Sequence, residues 1–478
     1  MKSNNHNYDF ILAIDQGGHA SRARIYTLNG DIETSATCNI ETQHLYKHGV
    51  EYIQHSVKEI VQSIEFVISE CAKYLGDTRK FKIKAGFATQ RSTIVCWNYK
   101  TGEILSDAIS WQDTRASSYI KNFITNNDLI KSKTGLFLSA HYGVSKIKWC
   151  LDNLETIQQA FQDNELCIAP LSSYLLFSFI EGSRRLVDPA NAARTLLLNQ
   201  NTLDWDEDLL KLFSIPKSVL PECVASKYDY GKLSNWDGIC DVQICTGDQS
   251  SAVFSQGLPQ NNHFIVNIGS GAFVLNINKK SVAPARILSG CIYTDNLSRI
   301  NAWEGTVNGA GTALDWLQKK YTEVNIYQQL PDWLENKNEE IPLFINGISG
   351  VGSPYWITAL KSRFIGEALL PAKAIAVVES IVFLISENIN LMKTESVNFI
   401  NISGGLSILD GLCQKLSNLT ELEVTRSQNK EATLSGLFFL LSESKLNYKI
   451  KNNEKFHPTL NQSLSDRFIN WKKVMANE

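Results

Sequence analysis

Two aspartates stand where apolar, strand-like runs end. Asp15 closes Ala13-Ile14-Asp15-Gln16 ahead of Gly17-Gly18, and Asp248 follows Ile244-Cys245-Thr246-Gly247. A carboxylate beside a glycine turn can hold a hydrated Mg2+ or accept a proton. For either residue alone, the plain alternative is a turn or cap aspartate. Glycine turns at 17–18, 269–271 and 404–405 each follow an apolar run, and such turns bring backbone N–H groups close to an anion or a flat ring. None is a G-x-x-x-x-G-K-[ST] loop, and none is a G-x-G-x-x-G placed between strand and helix, so the P-loop and Rossmann readings fail. Trp111-Gln112-Asp113-Thr114-Arg115 sets an aromatic wall beside a carboxylate and a guanidinium. That combination suits a polyol or sugar, and equally a structural ion pair against a core tryptophan.

The elements that must position these groups alternate between strand and helix patterns, which favours an α/β class. Phe10 to Ile14 and Arg22 to Leu28 read as a strand and its return, and Asn29-Gly30 as a hairpin turn. Val57, Ile60, Val61, Ile64, Val67, Ile68, Cys71 and Leu75 follow helical spacing over 56–75. Lys82 to Thr89 and Thr93 to Tyr99 read as further strands. The second half begins in the same way: Phe264 to Ile268, the turn Gly269-Ser270-Gly271, then Phe273 to Ile277. Internal duplication and coincidence explain that single echo about equally well. Helical spacing marks 371–393, Val397 to Ser403 is a strand running into Gly404-Gly405, and Glu431 to Ser442 is read as the final apolar helix, followed after about Tyr448 by a polar, surface-capping tail.

The 478 residues predict two to four domains. With 44% hydrophobic and 20% charged residues the chain is globular in composition. A net charge of -3 argues against wrapping nucleic acid by bulk charge. Ten scattered cysteines without a C-x-x-C pair read as reduced thiols of a cytoplasmic protein. The polar start from Met1 to Asp9 is not a signal peptide, and no run of about 18 apolar residues predicts a membrane span. No Pro- or Gly-rich linker divides the chain, so its domains are expected to pack closely.

In their order along nearly the whole chain, these segments resemble the FGGY carbohydrate kinases, most closely the glycerol kinase branch. Ala13-Ile14-Asp15-Gln16-Gly17 through Ser21-Arg22 resembles the first phosphate loop of that family. Thr89-Gln90-Arg91 and Ile109-Ser110-Trp111-Gln112-Asp113 resemble its substrate-binding stretch, and Lys133-Thr134-Gly135 with Ser145-Lys146-Ile147-Lys148-Trp149 its signature region. Asp188, Asn191-Ala192-Ala193-Arg194-Thr195, the catalytic-like Gly247-Asp248-Gln249, Gly269-Ser270-Gly271, Glu304-Gly305, Ser353-Pro354-Tyr355-Trp356 and Ser403-Gly404-Gly405 follow in sequence.

The resemblance implies an actin-like ATPase (ribonuclease H-like) α/β fold of two similar lobes with a central cleft for ATP and Mg2+. The expected divisions are 1–253, 254–450 and a polar C-terminal tail over 451–478. Asp248 would be the general base and Asp15 would organise Mg2+. Gly17, Gly18, His19, Arg22, Gly269, Ser270 and Gly271 would hold phosphates, and Gly404 and Gly405 would pass close to adenosine. Arg91, Ser92, Trp111, His141, Gln249 and Phe273 would line the acceptor pocket.

Several positions depart from the family pattern. Gly18 and His19 stand where two threonines usually follow the first glycine. Ser92 stands where glycerol kinases carry glutamate, and His141 where they carry a pocket tyrosine, unless the register is shifted by one and Tyr142 takes that place. Ile357 and Lys361-Ser362 replace Asp and Arg-Gly, and Leu409 replaces an asparagine near adenine. The expected activity is ATP-dependent phosphorylation of a small polyol or sugar hydroxyl by a dimer or tetramer that binds neither nucleic acid nor membrane. The rival is a non-catalytic homologue that senses a ligand by lobe closure.

Overall fold

The computed structural model describes residues 8–47, 49–278, 283–335, 340–357, 359–427, 431–442 and 453–478. The described residues group into two units: one drawn from Met1–Pro259, Gly290–Asn301 and Glu431–Tyr448, the other from Gln260–Ser289, Ala302–Lys430 and Lys449–Glu478. The division is less linear than the expected boundaries at 253 and 450. Each unit has its own buried core, one built on Ile14, Ile64, Phe87 and Val242, the other on Val266, Val378, Ile402 and Trp471.

In the first unit a six-stranded sheet runs in the order Lys227–Lys232, Ile239–Gly247, Lys82–Thr89, Phe10–Gln16, Ala20–Thr27, Ile32–Asn39. The strands 239–247, 82–89 and 10–16 are mutually parallel, and the outer pairings are antiparallel. The parallel strands read as continuous apolar runs because both faces are covered. The helix Val57–Leu75 lays Val57, Ile60, Ile64, Val67, Ile68 and Cys71 into the core. Ser56 caps its start by accepting from the Glu59 N–H, and Gly76 ends it at φ 73°. A second, five-stranded sheet brings Ile94–Asn98 between Leu166–Pro170 and Ala108–Ile109.

The second unit repeats the plan. The hairpin His263–Ile268 with Ala272–Ile277 pairs antiparallel onto Arg299–Val307, while Phe399–Ser403 and Glu423–Arg426 extend the other side in parallel. The echo in the sequence thus corresponds to two sheets of like pairing around a glycine-turn hairpin.

Residues 451–478 are not a polar tail. Among those described, Glu454–Phe456 adds an edge strand and Gln462–Met475 is a helix that buries Leu464, Phe468, Trp471 and Met475. These four recur at three- and four-residue spacing, so the segment is amphipathic and its polar face masks the pattern in bulk composition. Arg467 on that helix meets the buried Glu379 at 2.7 Å, and Lys415 reaches the same carboxylate at 2.9 Å. Glu379 belongs to Leu370–Met392, the one helix among the described residues long and apolar enough to cross a membrane by length and composition. The apolar window of that helix is 89% buried inside the protein, where it serves as core. All ten cysteines are free thiols.

The apolar helix Ala432–Leu441 packs in the first unit, not the second. Gly436 makes this possible: a Cβ there would fall on the Ser251 carbonyl oxygen in the short helix Asp248–Ala252. Ser251 Oγ donates to the Thr433 carbonyl at 2.8 Å across the same contact. Gly436→Ala should therefore destabilise the protein by about 1–3 kcal/mol, the usual cost of overpacking. Turnover should fall with it, because the displaced helix starts at Asp248. Denaturant unfolding measures the first effect; an unchanged midpoint would refute the close packing.

Candidate active site

Strand register assembles the first unit's site. Gln16 and Gly247 both lie beside Thr89, so Asp15-Gln16, Gln90-Arg91-Ser92 and Gly247-Asp248 emerge together at the carboxyl ends of three parallel strands. Ligands of open α/β sheets bind at such ends. The Arg91 stem lies flat on Gly247, where a Cβ would come within 2.5 Å of Arg91 Cδ. From there Arg91 Nε sits 3.8 Å from Asp248 Oδ1 and its Nη2 donates to Gln249 Oε1. The Gln249 N–H donates to Asp248 Oδ1 at 2.6 Å.

Asp248 has its pKa raised by burial, against the pull of Arg91 and Arg194. Burial, then repulsion from Asp248 and Glu431, raises Asp15 to about 8, although Arg22 opposes the shift. Arg22 lies between two carboxylates, 3.8 Å from Asp15 Oδ2 and 3.7 Å from Glu431 Oε1. Asp15 Oδ1 is buried without a hydrogen-bond partner. An orphaned, desolvated carboxylate oxygen among further carboxylates fits a hard divalent cation such as Mg2+, which takes one or two carboxylates and keeps several waters.

The first glycine turn closes through the Gly17 N–H to the Ala20 carbonyl at 3.0 Å. The N–H groups of Gly18 and His19 have no protein acceptor among the described residues, as an anion-binding turn requires. The His19 side chain is exposed. A Cβ on Gly18 would lie 3.8 Å from Trp111 Nε1, which places the indole beside the turn. Trp111 is 40% exposed, whereas Asp113 and Arg115 form a buried ion pair at 2.8 Å, with the guanidinium over Tyr52 and Trp149. The structural reading therefore holds for that pair, and Trp111 alone is left to meet a ligand. His141 Nδ1 lies 3.3 Å from the Trp111 carbonyl oxygen. His141 is exposed, and its partial desolvation, followed by Lys146, lowers its pKa.

Phe273, Gly269, Ser270, Gly271, Gly404 and Gly405 belong to the second unit. Ser270 and Gly269 give their carbonyls to the start of the helix Gly311–Lys320, while the Ser270 and Gly271 N–H groups have no protein acceptor among the described residues. Gly404, at φ 94°, needs to be glycine twice over: the left-handed backbone and a Cβ position 2.5 Å from the Ile268 carbonyl oxygen both exclude a side chain. The two glycine turns of this unit thus lie side by side at the ends of paired strands. Phe273 is the second residue of the return strand Ala272–Ile277, half-buried.

Three groups near the first unit's cluster were quoted in the sequence segments but given no role there. Arg194 acts on Asp248 and lies 6.0 Å from the Tyr142 ring. Glu431 joins Arg22; its signal was its place as the acidic residue just ahead of an uncharged, mostly apolar helix. Lys146 is completely buried on the stripe Gly143, Lys146, Ile147, Cys150 of the helix Gly143–Asn153, a lysine at a core position.

Comparison with known proteins gives the family. Residues 10–255 match the N-terminal domain, and residues 265–441 the C-terminal domain, of the FGGY family of carbohydrate kinases. The chain is 29% identical over 489 residues to a glycerol kinase of Geobacter sp. (strain M21), covering 98% of each. It superposes on a Plasmodium falciparum glycerol kinase solved with ADP at a TM-score of 0.88 and 26% identity, covering 98% of each chain. A ligand-bound xylulose kinase from Lactobacillus acidophilus shares the fold at a TM-score of 0.82 and 19% identity, over 98% of this chain and 96% of that one. The expected actin-like α/β fold is therefore the observed one, and the chain belongs to the FGGY family of carbohydrate kinases.

Proposed function

We propose that the protein transfers the γ-phosphoryl group of ATP to a hydroxyl of a small polyol or sugar. The observation that carries this is the assembly of Asp248, Arg91, Gln249 and Asp15 at the ends of three parallel strands. Asp248 takes the proton of the acceptor hydroxyl as the new O–P bond forms and the bond to the β-phosphate oxygen breaks. Burial raises its proton affinity, and Arg91 and Arg194 oppose that rise. Arg91 and Gln249 hold acceptor hydroxyls, and Trp111 offers its face to the apolar side of the carbon chain. Arg22 and the N–H groups of Gly18 and His19 draw charge from the phosphates as it redistributes.

Asp15 would hold Mg2+, directly or through water, with Asp248 and Glu431 adding negative potential. When bound, the ion neutralises phosphate charge. Within the second unit taken by itself, the Ser270 and Gly271 N–H groups, which have no protein acceptor among the described residues, would suit a phosphate, and Gly404-Gly405 would allow the close approach of a flat ring.

Ser92 and His141 shape the acceptor end. The Ser92 hydroxyl is shorter and accepts less strongly than the glutamate it replaces, and it leaves more room, so the acceptor range extends beyond glycerol to larger polyols or ketoses. The retention of both aspartates and Arg22 favours catalysis over ligand sensing.

Coupled ADP release with Mg·ATP tests the reading, using glycerol, longer polyols and xylulose as acceptors. Turnover with at least one is expected; none with any of them, alongside an acceptor-induced thermal shift, would overturn it in favour of a sensor.

A further inference from the structure

We propose that Lys146 is a positioning residue for the acceptor side of the site: its buried side-chain nitrogen joins the bend at Ser92 to the loop at His141. This rests on the kinase reading above. Lys146 Nζ donates to the His141 carbonyl at 2.6 Å and to the Ser92 carbonyl at 3.3 Å. Helical side chains lean toward the helix N-terminus, so a lysine in the first turn of Gly143–Asn153 is aimed back at the loop that precedes the helix. Ser92 is held at φ 65°, a strained left-handed conformation for a non-glycine residue, directly after Arg91. His141 in turn meets the Trp111 carbonyl. One buried nitrogen thereby connects the segments carrying Arg91, Ser92, His141 and Trp111.

The placement is costly in three ways, which argues against a mere filler. The side chain is fully buried, a cation in the first turn opposes the helix dipole, and Arg115 is close by. Asp113 offsets only part of this, and the balance lowers the lysine to about 7. A methionine would fill nearly the same volume with none of these costs. What methionine cannot do is donate to two carbonyls on separate segments.

The test compares the wild type with Lys146→Met and with Lys146→Gln, a shorter side chain that keeps a donor but cannot span both carbonyls. In ADP-release kinetics, acceptor KM should rise about tenfold or more in both variants, since small misplacements of binding groups are amplified at reacting centres. ATP KM should stay within about twofold, as expected where uniform acceptor binding is what is lost. Equal shifts in both KM values, or in neither, would overturn the proposal. Amide hydrogen exchange in the free protein supplies an arm independent of turnover. Protection should fall in 90–93 and 138–142 and persist in 374–389. Unchanged exchange in the first two segments, or a global loss, also overturns it. If the wild type phosphorylates no acceptor, the kinase reading fails on its own, and exchange still decides whether Lys146 holds the two loops.

Discussion

Asp248→Asn should lower kcat by about 10²- to 10⁴-fold, the range that a positioned general base contributes, while the acceptor still binds. Asparagine has nearly the same shape, and its Oδ1 can still accept from the Gln249 N–H now at 2.6 Å from the aspartate. Arg91 remains anchored on Gly247 and Gln249. The acceptor pocket therefore persists and only the proton acceptor is lost. Acceptor-induced thermal shifts should match the wild type, and ADP release should not.

The size of the loss reports how much of the role is proton removal. Phosphoryl transfer through a loose transition state needs its base late, so part of the benefit of Asp248 is orientation of the hydroxyl and electrostatics. A loss near the lower end would assign most of the role to orientation. The pH profile separates the two: the raised pKa of Asp248 gives the wild type an acid limb in kcat, and the asparagine variant should lack it. Unchanged turnover would refute the assigned base.

Much of this site was legible because strand-end chemistry survives in short sequence. Asp15-Gln16-Gly17 and Gly247-Asp248 each end an apolar run, and the two runs proved to flank the strand Lys82–Thr89, parallel to it on either side. What was not legible depends on which surface a residue faces. Asp113 and Arg115 sit within four residues of Trp111, and nothing in their spacing says that the pair is buried while the indole is exposed. Glu431 is far from Asp15 in sequence, and only the packing of Gly436 on Ser251 brings its helix back to the first unit. Lys146 was visible as a motif residue, but its role rests on two backbone carbonyls, which carry no side-chain signature. The C-terminal helix was misjudged for the opposite reason: composition was read where periodicity was present.

Asp15→Asn should abolish most activity and yet stabilise the free protein at alkaline pH. Asp15 is buried beside Asp248 and Glu431, and its folded pKa of about 8 lies far above the ordinary 3.8. Between those values the folded state keeps a proton that the unfolded state has released. The folded state then binds more protons, so the contribution of this residue to stability falls as pH climbs from about 4 to 8. Asparagine has no proton to lose. Its advantage should be small at pH 5, grow through pH 7 and level off above pH 8, reaching a Tm gain of at least about 2 °C for a domain of this size. The lost attraction to Arg22, 34% exposed at 3.8 Å, subtracts little from this. Activity moves the other way. The variant removes the orphaned carboxylate oxygen that fits Mg2+, so kcat with Mg·ATP should fall by about 10²-fold or more, as expected for loss of a charge-stabilising group. Stabilisation by added Mg·ATP should shrink as well. The two effects identify Asp15 as a residue whose cost in the free protein is relieved only by its ligands. A variant less stable than the wild type at pH 8, with activity retained, would remove both the electrostatic argument and the assigned role.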